Sequence, residues 1–180
     1  LGLGRGIDYV NGGVLLIDVD AWRRADLDNV ALSYVHSFEG KRIPYNDQGV
    51  LNAILDGGAM RLPPRANAMT CFWQMSYGQM RSYYGFSTYY SESEIARATA
   101  SPAVIHFTPA FTTRPWVKGC RHPRADAYLR FKNMSPWSDR ELEDDTRPRR
   151  LRLMDYGHRL LPFPVFGTML RFVSWIRRGR

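Results

Sequence analysis

Cysteine is nearly absent from this 180-residue chain. Cys71 and Cys120 are its only two, too few for a disulfide framework or a spaced metal set, so a reducing compartment is expected. No apolar run is long and unbroken enough to cross a bilayer. The best candidate, from Leu160 to Ile176, is interrupted by Pro162, Pro164 and Arg171. The Leu-Gly-Leu-Gly-Arg-Gly start lacks the charged-then-apolar order of a secretory leader. It also lacks an initiating methionine, which points to a preceding N-terminal half. Acid is scarce in one place only. Residues 147–180 hold nine arginines and the single acid Asp155, whereas residues 1–146 are balanced at sixteen Lys+Arg and sixteen Asp+Glu. The whole surplus of +8 therefore lies in the tail, which argues against a basic core built to grip nucleic acid.

What is present suits an α/β domain with an appendage. Val14-Leu15-Leu16-Ile17, between Gly12-Gly13 and Asp18, reads as a fully buried strand. Asp18 or Asp20 caps the helix carrying Trp22. Leu27, Val30, Ala31, Tyr34, Val35 and Phe38 fall at helical spacing. Asp47 and Gln48 open a second helix, whose buried stripe is Val50, Leu51, Ile54 and Leu55 and which Gly57-Gly58 ends. Ala59 to Leu62 is a short strand. From Phe72 to Tyr90 aromatics crowd among serines and glycines without a clear period. Flat rings there suit a lid that stacks on sugar faces and a buried irregular loop equally well. Ser91 and Glu94 form a capping box for a helix from Glu92 to Ala98, and residues 125–131 form an amphipathic helix. Val104 to Trp116 begins as an apolar strand and ends in Arg114-Pro115-Trp116. Its first polar residue is His106, a residue type that ligates transition metals when neutral, and Arg114 is suited to clamping phosphate. Alone, a strand-end histidine is more commonly a hydrogen-bonded structural residue. Asn11 alone reads as a turn asparagine, and Asp47 and Gln48 as a helix-start pair.

Three spaced motifs change the weighing: Tyr9-Val-Asn11-Gly-Gly-Val-Leu-Leu-Ile-Asp18, then Asp47-Gln48-Gly-Val-Leu-Asn52, then His106-Phe107 followed by Arg114-Pro115-Trp116. In this order and spacing they resemble glycosyltransferase family 8, the retaining, metal-dependent sugar transferases that include bacterial lipopolysaccharide galactosyl- and glucosyltransferases and the glycogenins. Leu62-Pro-Pro-Arg-Ala-Asn67 and Cys120-Arg-His122-Pro123 fit the same pattern, and the match covers about residues 5–137. The resemblance implies the C-terminal part of a Rossmann-like nucleotide-diphospho-sugar transferase (GT-A) fold over residues 1–138. An acidic linker (139–146) and a helical basic tail (147–180) follow. It implies transfer of a hexose, with retention, from UDP-galactose or UDP-glucose to a saccharide or lipid-linked acceptor in cell-surface polysaccharide synthesis. His106 would hold Mn²⁺, or Mg²⁺, against the donor diphosphate, and Arg114 would stand where the family has a phosphate-contacting lysine. Asn11, Gly12, Asp47, Gln48 and Thr108 would line the donor. Gln48 would face the anomeric carbon, and Asp47 would stabilise charge developing on the sugar. Double displacement calls for a carboxylate nucleophile, and the neutral amide of Gln48 is a poor one. A front-face route is therefore at least as open.

The chain departs from the pattern at Pro109, which replaces a glycine and offers no N–H, at a loop two residues longer before Arg114, and at Gly49 in place of a second aspartate. Asp18-Val19-Asp20 sits at the wrong place for the family's Asp-x-Asp metal motif and reads as helix capping. The metal-binding pair is expected upstream of Leu1, so that this chain carries only part of an active site. In the tail, Gly167, Arg171, Ser174 and Arg178 share one helical face, and Val165, Met169, Phe172, Val173 and Ile176 another. That pattern suits a helix lying in an anionic membrane surface, hence a cytoplasmic protein peripheral to the inner face. The competing pattern is a helix docked on the core with a solvated basic edge. Two other functions compete with the enzyme: a non-catalytic family member, and a basic surface- or nucleic-acid-binding module.

Overall fold

The computed structural model describes residues 9–84 and 90–169. They divide at Pro63/Pro64 into two compact units.

The first unit is helical. Asp18 accepts the Ala21 N–H through its carboxylate at 2.8 Å and so starts α1 (Val19–Arg24), as the capping reading expects. In α2 (Leu27–His36) the side chain of Asp28 accepts the Trp22 indole N–H at 3.0 Å, tying the helix to α1. Then α3 (Asn46–Leu55) begins after Tyr45, which sits in the left-handed region and provides no side-chain cap. Three expectations fail here. Residues 14–17 form no strand, and Leu16 is 86% exposed. An apolar β-former run becomes a buried strand only where a neighbouring strand takes its backbone groups, and no described strand pairs with it. Residues 59–62 likewise form no strand. The buried side of α3 is also not its apolar stripe. Gly49 and Asn52 are its buried residues, while Val50, Leu51, Ile54 and Leu55 are half-buried.

The second unit has mixed α/β structure. A 3₁₀ turn (Pro64–Asn67) leads into β1 (Ala68–Met69), which pairs in parallel with β2 (Ile105–His106); Ala68 lies opposite Ile105 and Met69 opposite His106. Parallel pairing requires a crossover. Here α4 (Cys71–Gln74), α5 (Tyr77–Tyr84) and α6 (Glu92–Ala100) supply it. The stretch from Phe72 therefore opens as two short helices rather than as an irregular loop, and Phe86 and Tyr89 lie outside the described residues. Its aromatics obscured the helical period because some turn inward and others outward: Phe72 is buried, whereas Tyr83 and Tyr84 are exposed. Ser91 and Glu94 complete the expected capping box.

Ala68, Cys71, Phe72, Met75, Met80, Ile95 and Ala98 form the core, and burial pushes the Cys71 thiol up to about 11, leaving it protonated and unreactive. Then come α7 (Ala125–Asn133) and α8 (Arg149–Leu160), with helix resuming over residues 163–169. Phe166, in that last segment, is fully buried. The acidic segment before α8 is exposed but tethered, since Lys118 meets Glu141 and Asp144 at 3.2 Å each. The two-faced pattern predicted for residues 165–178 lies mostly outside the described residues. Among the described residues no helix is long and apolar enough to cross a membrane.

Candidate functional site

The candidate residues fall on both units. Asn11, Gly12, Asp47 and Gln48 belong to the first, and His106, Thr108 and Arg114 to the second.

In the first unit a side-chain amide sets the geometry. Asn52, 4% exposed on α3, accepts the Val10 N–H at 2.7 Å and donates to the Val10 carbonyl at 2.8 Å. It thus pairs with residue 10 as a neighbouring strand would. This brings Gly12 against Gln48, one turn earlier on the same helix. The Gly12 N–H donates to Gln48 Oε1 at 3.0 Å, and Gln48 Nε2 donates to the Tyr9 hydroxyl at 3.0 Å. The Gln48 carboxamide is therefore held at both ends. Asp47 lies exposed in the first turn of α3. Asn11 accepts its own Gly13 N–H at 2.9 Å, the turn role its sequence position suggests.

In the second unit His106 closes β2 directly opposite Met69, and its ring reaches back to the 3₁₀ turn. His106 Nδ1 lies 2.9 Å from Asn67 Oδ1. A carbonyl oxygen only accepts, so Nδ1 carries the hydrogen and Nε2 keeps the lone pair. Desolvation first, and the Arg114 charge second, hold the imidazole below its ordinary pKa, and hence neutral at pH 7. A neutral ring with Nε2 available and Nδ1 anchored by a second residue has the arrangement of a metal ligand. Among the described residues no three His, Cys, Asp or Glu side chains cluster for a metal.

The Thr108 N–H donates to the His106 carbonyl at 2.7 Å, turning the chain sharply after β2. Pro109 is exposed beyond it. Arg114 is exposed, 5.3 Å from the Trp116 ring, while its neighbours Thr113 and Pro115 are buried. Its position is fixed by anchors on either side, and its guanidinium is left to solvent.

Phe111, in the lengthened loop before Arg114, adopts a φ of +46°, a region costly for an aromatic residue. Packing holds it there: its ring stacks on His158 of α8 at 4.5 Å and 8°, and meets Phe166 edge-on at 5.1 Å. His122, in the Cys120–Pro123 piece, is buried between the rings of Phe107 (4.9 Å) and Trp73 (5.2 Å). Its role is internal packing rather than ligation.

Asn52, Asn67 and Tyr9 position the candidate residues, and sequence reading gave them no role of their own. Their only signal was membership in the spaced motifs.

Residues 3–120 match the model of glycosyl transferase family 8. General stress protein A of Bacillus subtilis (strain 168) is 26% identical over 131 residues, 72% of this chain and 43% of that protein. Lipopolysaccharide 1,2-glucosyltransferase of Escherichia coli (strain K12) is 30% identical over 131 residues, 73% of this chain and 35% of that protein. Glycosyltransferase GlyB of Streptococcus pneumoniae serotype 4 is 28% identical over 147 residues, 82% of this chain and 33% of that protein. The chain thus spans less than half the length of each of these relatives. No solved structure matches it. The matched stretch holds the Asn52 clamp, the anchored His106 and Arg114, and this chain belongs to glycosyl transferase family 8.

Proposed function

We propose that this chain is the part of a retaining hexosyltransferase that receives the donor diphosphate and the sugar it carries, the donor being UDP-galactose or UDP-glucose. The observation that carries this reading is the His106–Asn67 pair beside the positive charge of Arg114. An anchored neutral imidazole and a nearby guanidinium are complementary to a metal-bound diphosphate leaving group. Mn²⁺ or Mg²⁺ would supply neutralisation of the charge that develops as the sugar–phosphate bond breaks, with His106 as one protein ligand. Arg114 would take a phosphoryl oxygen pair through its planar fork.

On the donor sugar, Gly12 and Gln48 would act together. Gln48 is held by Gly12 and Tyr9, so its amide is fixed before substrate arrives. Being neutral and held, it orients rather than attacks, which favours the front-face route to retention. Asp47, exposed in the same helical turn, would stabilise positive charge on the sugar. Asn11 and Thr108 would contribute polar contacts to the donor.

The E. coli relative's name points to a lipopolysaccharide acceptor, and a saccharide or lipid-linked acceptor at the inner membrane face is the corresponding proposal here. The exposed Leu151, Leu153 and Leu160 on α8, among Arg149, Arg150, Arg152 and Arg159, suit peripheral contact with an anionic surface.

Calorimetry of UDP binding, with and without Mn²⁺, tests the reading on this chain and on the complete polypeptide its gene encodes. Binding should require the metal, disappear in His106→Ala, and weaken by roughly 10- to 100-fold in Arg114→Ala, the scale of a charge-assisted contact. Binding of UDP that is indifferent to Mn²⁺ and to both substitutions would sink it.

A further inference from the structure

A cavity of about 420 Å³ opens in the second unit between the Phe111–Thr113 loop, the Lys118–Arg121 turn and α8. That volume is in the range of small-molecule sites. Arg114 is not among its lining residues.

Five cations line it, Lys118, Arg121, Arg147, Arg152 and Arg159, against two acids, Asp145 and Asp155. The acids are already engaged. Arg147 donates from Nε and Nη2 to Asp145 at 2.9 and 3.0 Å, and reaches Asp155 at 2.6 Å. These bonds tie the 145–147 segment to α8, so the wall is assembled before any ligand binds. Lys118 is drawn outward by Glu141 and Asp144. Three guanidiniums remain, and among the described residues none of Arg121, Arg152 and Arg159 has a carboxylate within 4.0 Å. Arg159 lies 4.9 Å from the ring of Tyr156, which limits the planes its fork can take. Desolvation lowers the pKa of His158, also on the wall, against the opposing effects of a hydrogen bond to the Gln74 backbone and of the Asp155 charge.

Isolated surface arginines are ordinarily solvated and mean little. Three that line one concavity, with the neighbouring acids hydrogen-bonded or ion-paired to Arg147, raise the positive potential there. Planar forks match the oxygen spacing of phosphate better than that of any neutral sugar group. We propose that this cavity is a phosphate-monoester site, distinct from the donor position at Arg114. The monoester would belong to a phosphorylated sugar or to a lipid headgroup of the phosphatidic acid type. This proposal does not rest on the transfer reading and stands or falls without it.

Calorimetry at low salt with inorganic phosphate and with a hexose 6-phosphate, using the full 180-residue chain, tests the site. Cosedimentation with phosphatidylcholine vesicles, with and without phosphatidic acid, tests the lipid source. Arg121→Gln combined with Arg152→Gln should weaken binding by about tenfold or more, the scale of one or two charge-assisted bonds. Arg159→Gln should weaken it to a lesser degree, while Arg97→Gln, exposed on α6 and away from the cavity lining, leaves it unchanged. Preference for the hexose phosphate identifies a soluble source, and preference for the phosphatidic acid vesicles a lipid one. Lack of phosphate-dependent binding in either format overturns the proposal, as does binding that stays within twofold when these arginines are replaced, or equal binding of the unphosphorylated hexose. Arg121, Arg152 and Arg159 are all exposed, so the variants should keep the parent's circular dichroism and thermal midpoint.

Discussion

Asn52→Leu is the most informative single change, because one buried side chain fixes the placement of the Tyr9–Gly12 segment. Leucine keeps much of the volume and removes three hydrogen bonds: two with the Val10 backbone, and one to the Gln48 carbonyl at 2.8 Å. Gln48 loses little, since a helical carbonyl retains its ladder partner. Val10 loses both backbone partners while half-buried. A buried polar group left unmade costs about 1–3 kcal/mol, and partial exposure puts each of these two toward the low end, so about 2–4 kcal/mol is expected in total. Urea unfolding gives the stability change, and hydrogen exchange read by mass spectrometry gives the protection of residues 9–13. Stability should fall by that amount and the Val10 amide should exchange faster; under the donor-binding role proposed for Gln48, UDP-hexose binding should weaken too, because Gln48 loses its partner at Gly12. Asn52→Asp keeps the acceptor but turns an oxygen toward two carbonyls, so it should cost at least as much. A loss under about 0.5 kcal/mol with unchanged exchange at Val10 would refute the clamp.

Two further outcomes follow from the second unit. His122 accepts the Arg124 N–H on Nδ1 at 3.0 Å, and burial, then the Arg124 charge, lower its pKa from 6.5. The unfolded chain therefore binds the proton more readily. The stabilisation is complete above pH 6.5 and drains away as pH falls below it, at no more than about 1.4 kcal/mol per pH unit. His122→Phe should flatten the pH dependence of the urea midpoint between 6.5 and 5, and an unchanged slope would refute the assignment. Ser91→Ala removes the capping box of α6 and should cost about 1 kcal/mol in thermal or urea unfolding, with the core otherwise intact.

Local signals carried part of the fold. The helices α2, α3, α6 and α7, the Asp18 cap and the Ser91 capping box all depend on residues within four positions of one another, which is the range a sequence displays. Leu15-Leu16-Ile17 misled because its composition reports β-preference, whereas a strand also needs a partner edge. The positioning amides were illegible for a related reason. Asn52 bonds to residue 10 across 42 positions and Asn67 to His106 across 39, and no periodicity spans such distances. Motif order picked out His106, but the hydrogen bond that sets its tautomer is visible only in space.

The stacking of Phe111 on His158 ties the arginine-bearing loop to the tail by a mechanical linkage. Cutting the chain before α8 would strip away the support that keeps Phe111 in its left-handed turn, three residues before Arg114. A truncation there would disturb the loop that carries Arg114 as well as removing α8. Charge-swapping substitutions at the exposed arginines of α8, rather than deletions, leave that linkage in place.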